Sequence, residues 1–295
     1  MRVAAWLLVG LMSVLPAHAQ PVTIQDALGR RVDVPAPPQR VVTIFASNTE
    51  LVAALGQADR IVGIEAYTRY PPGVLDRPLV GGRLGFSVDA VVAQRPDLLI
   101  VTPSRQAAHQ LVDPMERLGV PVIVLLSRSV DEVLSNLRLV AQVLGVPAQG
   151  ERVTGALEAR LQKVESRTKG RVPPRVVMIT GRLGNGLLLV ARPDTYTGDA
   201  IVRAGARFAL GGKGVVPQVS PEAVLAADPD VLLFAGRQQD LDELIQQSGW
   251  RDLKAVLAKK AYTVPRAEFL IPGPRTIDGI ERLAARLHPQ SGETP

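Results

Sequence analysis

Short β-branched runs recur along the chain, each followed by a turn and then by apolar residues at helical spacing. Residues 41–45, Val-Val-Thr-Ile-Phe, form the first such run. Behind it, Ser47-Asn48-Thr49-Glu50 offers a hydroxyl to cap a helix that continues through Leu55 and stops at Gly56. Further strands are predicted at 61–65, at 97–102 and at 120–126, the last introduced by Gly119 and Pro121. Strands that alternate with helices of about 10–15 residues indicate a mostly parallel, doubly wound sheet.

From residue 130 to about residue 169 the pattern changes. No strand candidate occurs there, only two helical segments divided at Gly145-Val146-Pro147. In the second, Val153, Leu157, Leu161 and Val164 form one apolar stripe. The rest of its surface is charged, with Glu151, Arg152, Glu158, Arg160, Lys163 and Glu165. Such a helix packs one face and leaves the others in water, as a connector between two lobes does. An ordinary crossover helix within one domain would read the same way. Strands resume at 175–180, 231–234 and 261–264, and a last helix runs from about 275 to 288. The predicted fold class is α/β: two doubly wound α/β lobes joined by a single long helix, with a ligand cleft between them. The expected divisions are an N-terminal lobe at 20–128, a helical linker at 129–170, a C-terminal lobe at 171–290 and a tail at 291–295.

The sequence also repeats itself. Residues 87–101 read SVDAVVAQRPDLLIV and residues 220–234 read SPEAVLAADPDVLLF. Without gaps they share the serine at 87/220, alanine at 90/223 and 93/226, valine at 91/224, proline at 96/229, aspartate at 97/230 and leucine at 99/232. Ser87 and Ser220 read as N-caps, and Pro221 suits a first helical position, where its missing N–H costs nothing. Asp89 and Glu222 fall in the first turn, where the helix dipole favours a carboxylate. Two lobes built on one unit imply a pseudo-two-fold relation that presents this acidic position once on each lobe. Helix capping alone also accounts for both carboxylates.

The N-terminus predicts export from the cytoplasm. Arg2, an apolar run over residues 3–15 and the small-x-small pattern Ala17-His18-Ala19 have the layout of a signal peptide, residues 1–19, cleaved near Ala19. The run is shorter than the roughly 20 residues a membrane span needs. A soluble, not membrane-spanning protein of the periplasm is therefore expected. The chain has no cysteine, which excludes disulfides and a lipid-modified cysteine anchor. Its net charge is +6, yet the arginines are scattered and form no basic run, which argues against nucleic acid as partner. They are compatible with an anionic small molecule, because guanidinium donates forked hydrogen bonds to carboxylates. An arginine-rich surface would give the same count.

In order and spacing, several short motifs together resemble the periplasmic binding proteins for iron chelates, haem and cobalamin, whose lobes are joined by one rigid helix. The motifs are Ser47-Asn48-Thr49-Glu50 with Leu55-Gly56, Ile61-Val62-Gly63, Tyr70-Pro71-Pro72 and both repeat units. Thr197-Gly198-Asp199 with Ala204-Gly205, then Gly273-Pro274-Arg275 with Leu287-His288-Pro289, complete the set. The resemblance implies an ABC importer component, not an enzyme, that captures a small-molecule metal chelate and hands it to a permease dimer with its ATPase. It implies no cofactor, and the protein is expected to act as a monomer. In the family an acidic residue on each lobe pairs with permease arginines, and by position in the repeat these are Asp89 and Glu222. Asp89 is shorter than the glutamate more usual there.

Ligands of doubly wound sheets bind beyond the carboxyl ends of the strands. The candidates in those loops are Ser47, Asn48, Tyr67, Arg69, Arg83, Phe86 and Arg105 from the first lobe. The second lobe offers Arg182, Tyr196, Arg237, Arg266 and Phe269. Mixed arginine and aromatic residues suit a bulky anionic chelate with apolar faces. Haem-binding relatives often carry a tyrosine beside the glycine in the segment before the first repeat unit, and Val80-Gly81-Gly82-Arg83 has none. Aromatic residues make up only 4% of the chain, which weakens a corrinoid reading. A ferric siderophore is therefore favoured, with cobalamin or haem as alternatives.

A free metal-ion receptor would need clustered histidines, but after the leader only His109 and His288 remain, and His288 reads as a helix end. A periplasmic hydrolase finds no support: there is no Gly-x-Ser-x-Gly elbow and no cysteine nucleophile. The glycines of 181–186 and 211–214 fit neither a dinucleotide fingerprint nor a phosphate loop, and read as turns.

Overall fold

The computed structural model describes residues 21–289, apart from residue 36 and the segments 83–84, 103–107 and 211–217. The predicted signal peptide, the tail, Arg83, Arg105 and the 211–214 glycines lie outside the described residues, as does the side chain of His109. No helix among the described residues is long and apolar enough to cross a membrane.

A hairpin of β1 (Val22–Gln25) and β2 (Arg31–Val34) precedes the first lobe. That lobe's sheet contains β3 (Val41–Thr43), β4 (Ile61–Glu65), β5 (Leu79–Gly82), β6 (Gly85–Phe86), β7 (Leu98–Val101) and β8 (Val122–Val124). Their spatial order is β6-β5-β4-β3-β7-β8, parallel throughout except for β6. Every residue of β3, β7 and β8 is buried, which is why these strands read as unbroken apolar runs. The helices α1 (Ala46–Ala54), α2 (Val88–Ala93) and α3 (Asp113–Arg117) connect them.

Two long helices follow, α4 (Val130–Val143) and α5 (Pro147–Thr168), with the break at Gly145-Val146-Pro147 as predicted. The second lobe contains β9 (Arg175–Arg182), β10 (Leu188–Val190), β11 (Arg207–Phe208), β12 (Gln218–Val219), β13 (Val231–Ala235) and β14 (Ala261–Val264). Its order is β12-β10-β9-β13-β14, with β11 also on β9. The β9-β13-β14 side is parallel, whereas β10 and β12 run antiparallel. Glycines 184 and 186 of the 181–186 run turn the chain between β9 and β10, and Gly186 holds a φ of 83°. Among the described residues, six helices complete the lobe: α6 (Tyr196–Arg203), α7 (Pro221–Ala227), α8 (Gln238–Ile245), α9 (Lys254–Leu257), α10 (Arg266–Phe269) and α11 (Thr276–Leu287).

The buried stripe of α5 comprises Gly150, Thr154, Leu157, Leu161 and Val164, with Val153 half-buried beside it. Its charged face stays largely in water, with Glu151, Arg152, Lys163 and Glu165 exposed, and two of its flanks are also ion-paired. Arg138 of α4 donates to Glu151 at 3.1 Å and to Glu158 at 2.9 Å. On the other flank Arg160 reaches Asp278 at 2.6 Å and Glu281 at 2.9 Å, both on α11. One apolar core runs from Val41 and Leu51 through Leu137 and Leu161 to Val176 and Ile280, so the linker is packed into both lobes.

The repeat is structural as well as sequential. Ser87 accepts from the Ala90 N–H at 3.1 Å and Ser220 from the Ala223 N–H at 3.3 Å. Arg95 and Asp228, aligned in the repeat just past each helix, both hold positive φ, 47° and 37°. The shared aspartates then do the same work. Asp97 accepts from the Arg40 N–H at 2.8 Å, and Asp230 from the Arg175 N–H at 2.9 Å. Each arginine side chain reaches back to carbonyls at its short helix's end: Arg40 to Gln94 and Arg95, Arg175 to Ala227 and Asp228. Sequence reading did not find this arginine clasp, because Arg40 and Arg175 lie outside the aligned windows.

The start of α1 differs from expectation. Neither Ser47 nor Thr49 caps it; both lie inside the helix, and the N-cap is Phe45 with a φ of 75°. The first turn is buried at the carboxyl end of the interior strand β3, so its donors meet an interior acceptor. Glu65, at the end of β4, accepts from the Ala46 N–H at 3.2 Å. Burial raises the Glu65 carboxyl above its ordinary range, against the pull of the Ala46 and Phe45 N–H groups. A group raised in the folded state adds stability at low pH, and that contribution is lost as pH rises through its folded pKa. Glu65→Gln keeps an acceptor and should flatten this slope, whereas Glu65→Ala should cost about 1 kcal/mol, as loss of a cap does. Urea unfolding at acidic and neutral pH compares the two.

Candidate functional site

The carboxyl ends of both sheets open on one gap. Ser127 and Arg128, just past β8, line a hollow of about 460 Å³ together with Thr180, Val190, Arg192, Asp194 and Tyr196 of the second lobe. Burial pushes the Tyr196 phenol well above its ordinary pKa. Next to it, joined through the consecutive residues Thr180 and Gly181, lies a second hollow of about 490 Å³. Arg182, Arg237, Arg266 and Asp240 line that second hollow.

The three arginines come from the ends of β9, β13 and β14. Arg266 is fixed by its backbone neighbours, donating to the Thr180 carbonyl at 2.7 Å and the Ala235 carbonyl at 3.1 Å. Arg237 pairs with Asp240 through bonds of 3.0 and 2.6 Å. That pair holds the Asp240 carboxyl below its usual range, with a further contribution from Arg182. Arg182 is exposed. Three guanidinium groups against one carboxylate leave surplus positive charge at the end of this sheet.

The first lobe offers aromatic surface instead. Phe45 and Phe86 pack with ring centroids 6.0 Å apart and planes tilted by 60°, both half-buried. Tyr67, just past β4, is 55% exposed. Arg69 is exposed and donates to the Ala66 carbonyl at 2.6 Å and the Thr68 carbonyl at 2.9 Å, pinning its own loop.

Three of the sequence candidates lie elsewhere. Ser47 and Asn48 are buried within α1, and Asn48 spends its amide on the Ile44 carbonyl at 2.5 Å and the Thr102 hydroxyl at 3.2 Å. Phe269 is 1% exposed and belongs to the apolar core, where a Cβ on Gly279 would sit 2.9 Å from its ring. Burial leaves these three no face for a ligand. His288 is likewise occupied, with its Nε2 2.9 Å from the Gly205 carbonyl.

Sequence reading missed Phe45, which looked like the last residue of a strand. It also quoted two motifs without joining them. Glu50 of the first and Arg275 of the second form a two-point ion pair between the lobes, with the Arg275 Nε 3.0 Å from the Glu50 Oε2. The Arg275 guanidinium also lies 4.3 Å from the centre of the Tyr70 ring. Burial raises the Glu50 carboxyl above its ordinary range while Arg275 draws it down.

A family model described as periplasmic binding protein matches residues 41–267. An uncharacterized ABC transporter substrate-binding lipoprotein of Bacillus subtilis is 24% identical over 92% of this chain and 87% of its own length. A vitamin B12-binding protein of Vibrio cholerae is 22% identical over 86% of this chain and 90% of its own. Among solved structures, a periplasmic heme-binding protein from Pseudomonas aeruginosa superimposes with a TM-score of 0.74 at 29% identity. That match covers 86% of this chain and 94% of the other.

Proposed function

This chain belongs to the periplasmic binding protein family, and from that premise we propose that it captures an anionic metal chelate, a ferric siderophore with acidic groups, for an ABC importer. The observation that carries the ligand class is the arginine cluster of Arg182, Arg237 and Arg266 at one sheet end. A neutral chelate would leave the surplus positive charge of the cluster unbalanced, whereas carboxylate or catecholate oxygens accept forked bonds from it. A corrinoid is the second reading, favoured by the vitamin B12-binding relatives that align over 86% of the chain.

The test is a calorimetric titration of the purified protein with five probes. These are a ferric catecholate, ferric citrate, a neutral ferric hydroxamate, haem and cyanocobalamin. The two anionic ferric chelates should bind with micromolar or tighter affinity, on the order of −8 kcal/mol. Binding of cyanocobalamin alone, or of the neutral hydroxamate as tightly as the anionic chelates, overturns the siderophore reading.

We also infer that Asp89 and Glu222 are matched docking points for a two-fold permease. Both are exposed in the first turn of helices capped in the same way, one on each lobe, which supports the reading. The Glu222 carboxyl is held low by its own backbone N–H and by the Ser220 hydroxyl, a helix-end role that is compatible with the docking reading. Rim charges govern encounter rate and registry more than affinity, with each pair contributing about 1 kcal/mol. Asp89→Arg and Glu222→Arg should each slow uptake through the reconstituted importer, and the double reversal should be slower still. Ligand affinity in solution should not move. Wild-type uptake by both single variants refutes the docking assignment.

A further inference from the structure

The second lobe holds a further cavity, a wedge of about 310 Å³ between the edge strand β14 and α11, closed at one end by α10. Among the described residues, Gly236 alone borders both this wedge and the arginine hollow. Leu233 and Tyr262 are paired neighbours on β13 and β14, and Val264 lies two residues on, so all three point to the sheet face that α11 covers. Leu233, Val264 and Leu283 are buried at the floor of the wedge, and Tyr262 is half-buried at its side. A Cβ on Gly279 would lie 3.0 Å from the Cβ of Glu268, so this glycine of α11 lets α10 close in and brings Glu268 into the wedge. Arg282, Leu283 and Arg286 lie one and two turns further along the same face of α11.

Glu268 is only 9% exposed. One of its oxygens pairs with Arg282, while the other, Oε2, is buried with no hydrogen-bond partner among the described residues. A buried carboxylate oxygen without a donor is costly to keep. The two partners also differ in freedom: the Arg282 side chain is 58% exposed and Glu268 12%. The carboxylate is fixed inside, and the guanidinium that covers it can turn outward.

We propose that this wedge binds a small zwitterion, an α-amino acid with an apolar side chain. Its ammonium donates to Glu268, its carboxylate accepts from the outward-turned Arg282, and its side chain lies against Tyr262 and Leu283. The two charges of an α-amino acid are adjacent, as are those of one ion pair, so insertion leaves all four charges with a partner. An amine without a carboxylate would strand Arg282, and a carboxylate without an amine would strand Glu268 in the interior. The wedge lies at the lower end of the range for ligand pockets, about 300–1,000 Å³, which suits such a molecule better than a bulky chelate. The proposal is independent of the chelate reading, since its residues line a different space and its ligand carries no metal.

Titration calorimetry of the purified protein with L-phenylalanine, phenylpropionate and phenylethylamine tests it, since the last two each keep one charge of the first. L-phenylalanine should bind with a dissociation constant on the order of 100 μM or below. Each single-charge analogue should bind at least about tenfold more weakly. Glu268→Gln keeps the shape of the side chain and should weaken L-phenylalanine by at least about tenfold. Arg282→Gln, at an exposed position, keeps a donor for Glu268; it should weaken L-phenylalanine as well, but not phenylethylamine. No binding of L-phenylalanine to the wild-type protein, equal binding of the three probes, or undiminished affinity in both variants overturns the proposal. Displacement of L-phenylalanine by ferric citrate would place it in the arginine hollow and overturns it too. Failure of the wild-type protein to bind any ferric chelate refutes the chelate reading and leaves this one standing.

Discussion

Arg275→Ala should cost about 3 kcal/mol of stability, a fall of roughly 6–10 °C in Tm, and the loss should shrink at low pH. Glu50 is 2% exposed at the side chain, whereas Arg275 is 26% exposed. Removing the arginine leaves a carboxylate buried between the lobes without its counter-ion. Removing the glutamate leaves a guanidinium that water and the Tyr70 ring can still solvate. Arg275→Ala should therefore be worse than Glu50→Ala. The pH dependence follows from the direction of the Glu50 shift. Burial already raises that carboxyl, and Arg275 is what opposes the rise. Without the arginine the folded pKa climbs further, so the protein is most stable below the unfolded pKa of glutamate and loses stability as pH rises through the folded value. A double replacement by Leu at 50 and Met at 275 should recover most of the loss, because apolar residues of similar volume replace a buried pair nearly neutrally. Thermal unfolding from acidic to neutral pH decides the matter. Equal destabilisation by both single alanine variants at every pH would show that the pair contributes packing and not charge.

That ion pair also marks what the sequence could and could not yield. Short β-branched and apolar runs located β3, β4, β7, β8, β9, β13 and β14, since each is a buried apolar run or borders a glycine or proline turn. The repeat was legible because the capping serine, the Pro-Asp step and the buried strand are local. The short strands β5, β6, β10 and β12 were not legible. They have two to four residues and form by pairing with distant partners. The cap of α1 was misread because a buried helix start takes its acceptor from Glu65, nearly twenty residues away, instead of from an adjacent hydroxyl. Strand-end logic named Arg182, Arg237 and Arg266, which line one hollow. It over-reached at Asn48 and Phe269, because position beyond a strand says nothing of whether a side chain turns inward.

Asp240→Asn should tighten the binding of an anionic chelate several-fold, and Arg237→Ala should weaken it by about 100-fold. Asp240 competes with any ligand for Arg237, through bonds of 3.0 and 2.6 Å, and adds a negative charge to the hollow. Asparagine keeps the shape and removes both effects. Arg237→Ala does the reverse, since it deletes a donor and frees the carboxylate to repel the ligand. Its cost therefore exceeds that of Arg182→Ala, which deletes a donor alone; a hydrogen bond to a charged group contributes about 1.5–3 kcal/mol. Arg266→Ala is a poorer probe, because that side chain also holds the Thr180 and Ala235 carbonyls. Titration calorimetry with ferric citrate, repeated at low and high salt, measures the ordering. The wild-type affinity should fall with salt more steeply than that of Arg237→Ala, because the variant has lost part of the screened attraction. Weaker binding by Asp240→Asn, or an Arg237→Ala variant that binds as wild type, would place the anion outside this hollow.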